Sequence, residues 1–286
     1  MGKTTSSPPV SGTTARSGAH PTLRARKPGY AVMQECLAIQ AAAPSRTRQQ
    51  RFWGRDPLVP EARSWFKGAL GERYVARQLE ALGPDFTVLH AVPVGRGATD
   101  IDHVVIGPTG VFSINTKNHS GHDVWAGGRT LMVNGQRTPH AHRALVEGER
   151  ATTLLSAAAG QQVSVQPVLA VVARRLRFGR TTPAVATLPP EGLGPWLRGL
   201  PRVFSDETVR FLSMVAEERR TWHVEAVVLH DTLRHVQRFE RLERERVVAA
   251  DRRRLLRKAR ALAVLAVPAG ALLGYWWAQA SLALAG

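Results

Sequence analysis

The spacing of apolar and polar residues divides the chain into a structureless start, a folded middle and a helical end. Residues up to about Pro28 are rich in Ser, Thr, Pro and Gly and show no apolar period, which predicts disorder. A short helix is expected over Tyr30–Ala43, ended by Pro44, and an Arg- and Pro-bearing linker over Ser45–Pro60. Met33 is a candidate alternative to Met1 as the start of translation. From Ala62 to Leu82, Trp65, Leu70, Tyr74, Val75, Leu79 and Leu82 recur at a spacing near 3.6, a helix stopped by Gly83-Pro84. A strand over Phe86–Val94 and a flexible Gly95-Arg96-Gly97 loop lead to the next motif.

That motif is Asp100 to Gly121. Val104-Val105-Ile106 and Val111-Phe112 flank Gly107-Pro108-Thr109-Gly110, the pattern of a β-hairpin. Close pairing sets Ile106 opposite Val111. Carried outward, that register sets Asp102 opposite Asn115 and Asp100 opposite Lys117, all on one face because side chains alternate along a strand. Two carboxylates, an amide and an amine at one end of an apolar hairpin are costly to gather unless they bind something.

A second hairpin is expected over Asp123–Val133, turning at Gly127-Gly128, and a helix over Ala141–Ala159. Val163–Ala173 is almost continuously apolar and predicts a strand buried on both faces. Arg174, Arg175, Arg177 and Arg180 follow it. A short helix begins at Trp196-Leu197, and another spans Asp206–Glu218. Over 226–260, Leu229, Leu233, Val236, Phe239, Leu242 and Val247 stand among many charges. They predict a long amphipathic helix able to pair with a second copy.

The last segment changes character. Arg252, Arg253, Arg254, Arg257, Lys258 and Arg260 precede a run, Ala261 to Gly286, with no charged side chain. A helix needs ~20 apolar residues to span a bilayer. The expectation is a single C-terminal membrane anchor, with Tyr275, Trp276 and Trp277 near the interface and the preceding domain cytoplasmic. The division read from the sequence is 1–60, 61–222, 223–260 and 261–286.

Composition refines this picture. The 286 residues carry a net charge of +17 and a pI near 11.4. Such a surplus suits nucleic acid or an anionic membrane surface. Cys36 is the single cysteine, which excludes an intrachain disulfide and a cysteine-built zinc site. His103, His119, His122, His140 and His142 match no zinc-ligand spacing and read as polar loop or core groups.

The order of a helix bearing Gly68-Ala69-Leu70-Gly71-Glu72, then Asp100-Ile101-Asp102-His103-Val104-Val105-Ile106-Gly107-Pro108-Thr109-Gly110-Val111-Phe112, then Asn115-Thr116-Lys117-Asn118, resembles the nuclease-related domain (NERD) family. Pro189-Pro190-Glu191, leading to Trp196-Leu197, fits the same family. The resemblance covers roughly Pro60 to Trp222. It implies an α/β fold, a central mixed sheet flanked by helices in the manner of restriction endonucleases. To this the chain adds a long C-terminal helix and a transmembrane segment.

The resemblance also implies a PD-(D/E)xK-type site and Mg²⁺- or Mn²⁺-dependent hydrolysis of DNA. Asp102 takes the Asp position, Lys117 the position that orients the attacking water, and Glu72 that of a helix-borne carboxylate. Asn115 stands where a second acid is expected. Two readings stay open. In one, Glu72, Asp100, Asp102 and Asn115 still hold a metal; in the other, the module binds nucleic acid or a protein without cleaving it. Glu149 or Arg150 are candidates for a further polar residue from the following helix. Arg174, Arg175, Arg177 and His119 are candidate phosphate contacts.

Overall fold

The structure, a computed structural model, describes residues 22–95, 99–223 and 232–285. The disorder expected for residues 1–21 and the loop at 96–98 lie outside the described residues.

The N-terminal helices are α1 (Tyr30–Ala42), α2 (Arg48–Phe52) and α3 (Arg63–Leu79). Next come strands β1 (Thr87–Pro93), β2 (Asp100–Gly107), β3 (Gly110–Gly127), β4 (Thr130–Val133) and β5 (Gln136–Thr138). After these lie α4 (His140–Ala159), β6 (Val165–Phe178), β7 (Ala186–Leu188), α5 (Pro190–Gly199), α6 (Asp206–Glu217), α7 (Arg219–Trp222) and α8 (Thr232–Ala285). The seven strands form one mixed sheet, antiparallel from β1 through β5, with β6 parallel to both β3 and β7.

β3 is the spine of this sheet. Its first part pairs with β2 and its last part with β4, while β6 runs along its other edge for nearly the whole length. The two hairpins expected from the sequence are therefore joined by one continuous strand. Its register against β6 shifts between His119 and Asp123, where Gly121 takes a left-handed φ of 86°.

Alternation along β2 and β3 divides their side chains between two layers. Val104, Ile106 and Val111 pack with Ala151, Leu155 and Leu212 of α4 and α6. Val105, Phe112 and Ile114 pack with Val75 and Leu79 of α3 and Leu193 and Leu197 of α5. A sheet covered on both faces explains why Val168–Val171 is apolar without alternation.

Four expectations need correction. Leu23, placed in the disordered start, forms a 3-10 turn with Arg24 and Ala25 and is fully buried in the α4-side core. Ser45–Pro60 is not a bare linker: it carries α2, capped by a Thr47–Gln50 capping box. Arg174, Arg175 and Arg177 do not follow the strand but lie on β6, which continues to Phe178. α5 begins at Pro190 rather than at Trp196.

α8 is folded back onto the N-terminal helices. Phe239 is fully buried and stacks on Phe66 with ring centroids 4.9 Å apart, in a cluster with Met33, Cys36 and Leu58. Arg246 grips Asp56 with two bonds of 3.0 and 3.1 Å, and Arg73 reaches Glu243 at 2.8 Å. Among the described residues no helix is long and apolar enough to cross a membrane. The span expected over 261–286 falls largely on side chains outside the described set, and so gains no structural support.

Candidate active site

The site begins with the glycine in Gly71-Glu72. A Cβ on Gly71 would stand 2.9 Å from Cβ of Asn118 and 3.3 Å from Cγ2 of Thr116. Only glycine lets α3 lie this close to β3. The approach carries Glu72, 6% exposed, to the sheet, where the Gly29 backbone N–H donates to it. Burial raises the Glu72 carboxyl well above its ordinary range. Asp102 and then Asp100 push it further, against the pull of Lys117 and of the Gly29 bond.

The hairpin register is the expected one from Gly107↔Gly110 to His103↔Ile114. There the β2–β3 ladder ends, so Asp102 and Asn115 are not ladder partners, nor are Asp100 and Lys117. The Asp102 carboxylate instead accepts from the Thr116 backbone N–H at 2.6 Å. On its other side the β1–β2 ladder passes from His90↔His103 to Val92↔Ile101. Ala91, the residue it omits, is held at a left-handed φ of 48°. Strain of this kind in a non-glycine residue costs roughly 1–3 kcal/mol and tends to sit beside functional groups. Strand β2 is thus released from both neighbours at Asp102.

Asn115 and Lys117 share the α4 face of β3. From α4, Glu147 completes the group: Asn115 Nδ2 donates to its Oε2 at 3.1 Å. Among the buried carboxyl and amide oxygens of these residues, Asp100 Oδ2, Asn115 Oδ1 and Glu147 Oε1 have no hydrogen-bond donor, and the Ser113 hydroxyl on the same face of β3 is also without a partner. Leaving such atoms bare costs ~1–3 kcal/mol each.

Burial, and then the charge of Asp102, push Asp100 up to about 7. The same two causes push Glu147 up to about 8, against the opposing Asn115 hydrogen bond and Lys117. Asp102 itself is raised by burial, against Lys117 and the Thr116 N–H. Asp102 and Asp100 therefore disfavour charge on Glu72 and Glu147, with the Lys117 amine as the cation acting on Glu72, Asp102 and Glu147 and the Arg26 guanidinium as the one acting on Asp100. A divalent ion would satisfy the bare oxygens and relieve the repulsion, and hard oxygen ligands of this kind suit Mg²⁺. Among the described residues, no three His, Cys, Asp or Glu side chains close on an ion by themselves. The set here adds the amide oxygen of Asn115.

The structure brings Glu72, Asp100, Asp102 and Lys117 within electrostatic reach and ties Asn115 to Glu147, without the facing Asp102–Asn115 and Asp100–Lys117 pairs expected from the sequence. Glu149 and Arg150 point elsewhere and are exposed; the residue that α4 contributes is Glu147. The signal for it was the helix register. Ala144, Gly148, Ala151 and Leu155 bury one face of α4, and Glu147 stands on that face. The Arg group is exposed, and Arg174 is paired with Asp123 at 2.9 Å.

His119 faces His140, with Nε2 to Nε2 at 3.2 Å, near Lys117. Burial pushes His140 down to about 4, with Lys117 next in effect. His90, not singled out by the sequence, meets His103 at 2.8 Å between Nδ1 atoms, and His103 reaches Thr116 Oγ1 at 3.4 Å. That buried chain backs the residue whose N–H holds Asp102.

Residues 67–172, the stretch that holds every one of the acids, match the family model described as Nuclease-related domain. This part of the chain is a nuclease-related domain. An uncharacterized protein of Bacillus anthracis is 47% identical over 60 residues, 20% of this chain and 28% of that relative. The matched stretch is thus under a third of the relative's length. No solved structure matches the chain.

Proposed function

We propose that the nuclease-related domain hydrolyses phosphodiester bonds of nucleic acid, DNA in the first instance, with Mg²⁺ or Mn²⁺. The observation that carries this reading is the trio of buried, donorless oxygens on Asp100, Asn115 and Glu147, beside Lys117. Glu72, Asp100, Asp102, Asn115 and Glu147 would hold the ion, some of them through its coordinated waters, since no three of the acids close on it directly. When bound, it supplies a Lewis acid for the phosphoryl oxygen and a more acidic coordinated water. The chain's own residues do the positioning. Thr116 fixes Asp102 from the backbone. Asn115 fixes Glu147. The Lys117 amine orients the attacking water and offsets negative charge on the phosphoryl group. His119, at the Lys117 side of the site, and the exposed Arg174, Arg175 and Arg177 are the phosphate contacts of this reading.

One observation favours a second reading, binding of nucleic acid or a protein without cleavage. Asn115 brings no charge to a position where an acid is expected, and ion affinity follows ligand charge. Glu147 weighs against that reading, because it offers the missing anion from α4.

A cleavage assay with Mg²⁺ or Mn²⁺ compares wild type with Asp102→Ala and Lys117→Ala. The catalytic reading expects metal-dependent cutting by wild type and loss of at least ~100-fold in both variants. No cutting by wild type, or equal cutting by all three, sinks it.

We also place the domain at the cytoplasmic face of a membrane, on the strength of the Arg252–Arg260 cluster and the uncharged run that follows it. Deleting residues 261–286 should move the protein from the membrane to the soluble fraction. Full-length protein already in the soluble fraction contradicts the placement. Pairing of two copies through α8 is a further part of this reading, and cross-linking across that helix checks it.

A further inference from the structure

Where α2 meets α8, five arginines line a groove of about 410 Å³: Arg46, Arg51, Arg241, Arg244 and Arg252. Glu245 is the single acid among its lining residues, and it already receives Arg46 at 2.9 Å and Arg241 at 3.2 Å. The groove therefore holds four more cations than anions (five Arg less one Glu). Gly54 and α8 hold it in shape. A Cβ on Gly54 would stand 2.7 Å from the Ala249 carbonyl oxygen, and its own carbonyl accepts from Arg253.

Beside the groove, Phe52 and Trp53 are 59% and 45% exposed, with rings 5.3 Å apart. Arg260 lies over the Trp53 ring at 5.2 Å. Large aromatic rings left in solvent next to paired and unpaired arginines are the composition of a bilayer interface. None of these residues belongs to the acid site.

We propose that this groove is a docking site for anionic phospholipid headgroups, with Phe52 and Trp53 entering the interfacial layer beside it. Guanidinium groups match phosphate oxygens in a planar, two-pronged way. Single-stranded nucleic acid also combines phosphates with aromatic stacking. Lipid is favoured by position: α8 passes from the groove through Arg253, Arg254, Arg257, Lys258 and Arg260 directly into the uncharged run from Ala261. Val248, Leu255, Leu262 and Val264 are exposed along that path. The proposal rests on the membrane placement above and adds a headgroup class and a surface that receives it.

The test uses the full chain, wild type and Arg51→Gln/Arg244→Gln, with vesicles of phosphatidylcholine alone or with added phosphatidylglycerol. Each cation near an anionic surface is worth about 1 kcal/mol, close to fivefold in partitioning. The double variant should partition onto phosphatidylglycerol vesicles roughly 25-fold more weakly, and bind phosphatidylcholine vesicles as wild type does. Phe52→Ala/Trp53→Ala should weaken binding to both.

Wild type that binds both vesicle types equally overturns the headgroup site and leaves the membrane placement standing. Wild type that binds neither overturns both. A double variant that binds vesicles normally but loses a single-stranded oligonucleotide assigns the groove to nucleic acid and overturns the proposal. Steep loss of wild-type binding to phosphatidylglycerol vesicles with added salt supports it independently of any variant.

Discussion

Asn115 Nδ2 donates to Glu147 Oε2 at 3.1 Å, so the neutral side chain at the expected acid position holds an acid from the neighbouring helix in its place. The carboxyl group that strand β3 lacks is supplied by α4. Converting Asn115 to Asp sets two carboxylates against each other and removes that hydrogen bond. Metal-free Asn115→Asp should be less stable by about 1–3 kcal/mol. Mn²⁺ should raise its Tm more than it raises the wild-type Tm, as a thermal scan with and without metal will show.

Glu147 and Glu149 separate the α4 contribution cleanly. Glu147 is largely buried against the acids, whereas Glu149 is exposed two residues on. Glu147→Gln should lower metal-dependent cleavage by at least ~10–100-fold. Glu149→Gln should leave it unchanged. Equal effects from both would assign the α4 role elsewhere.

The acids also predict how stability depends on pH. Asp100 rises from 3.8 to about 7 and Glu147 from 4.5 to about 8 on folding. Raised folded values mean their contribution is full below the unfolded pKa and is lost as pH rises through 7–8. His90 and His140, lowered from 6.5 to about 4, act in the other direction. Their contribution is lost as pH falls from 6.5 to 4 and is flat above it. Between pH 6.5 and 8.5 the carboxyls therefore dominate. Metal-free protein should lose on the order of 2 kcal/mol there, a Tm drop of roughly 5 °C. Mg²⁺ should restore more stability at pH 8.5 than at pH 6.5. A Tm that rises over this window without metal would contradict the burial of these acids.

The docking of α8 carries its own prediction. Phe239 is fully buried against Phe66. Phe239→Ala should destabilise the domain by about 3–5 kcal/mol, read from denaturant unfolding. A change under ~1 kcal/mol would mean that α8 is only loosely attached.

Much of the site was legible in the chain because short-range rules govern it. The Gly107–Gly110 turn fixed the hairpin register as far as His103↔Ile114, but the alternation expected to carry Asp100 and Asp102 to one face breaks at Asp102, since Ile101 packs in the same core layer as Val104 and Ile106. Two things were hidden. The ladder stops at Asp102 because a side-chain carboxylate captures the Thr116 N–H, and no periodicity encodes that exchange. The choice of Glu147 over Glu149 depends on which face of α4 meets the sheet, a tertiary fact that the Ala144–Gly148–Ala151 spacing only hints at. Leu23 was lost in a polar stretch because a single buried side chain has no period. The Asp56–Arg246 and Phe66–Phe239 contacts join residues far apart in sequence, so the Ser45–Pro60 segment looked like a linker.

The central claim, that these oxygens form a cation site, is tested most directly by calorimetric titration of Mn²⁺ into the full chain at pH 7 in buffers of different ionisation enthalpy. Acids pushed up to about 7 and about 8 hold protons that the ion must displace. Saturable binding with proton release is predicted, and Glu147→Gln should bind at least tenfold more weakly and release fewer protons. No binding heat in any buffer, or binding unchanged by Glu147→Gln and Asp102→Ala, would contradict the account.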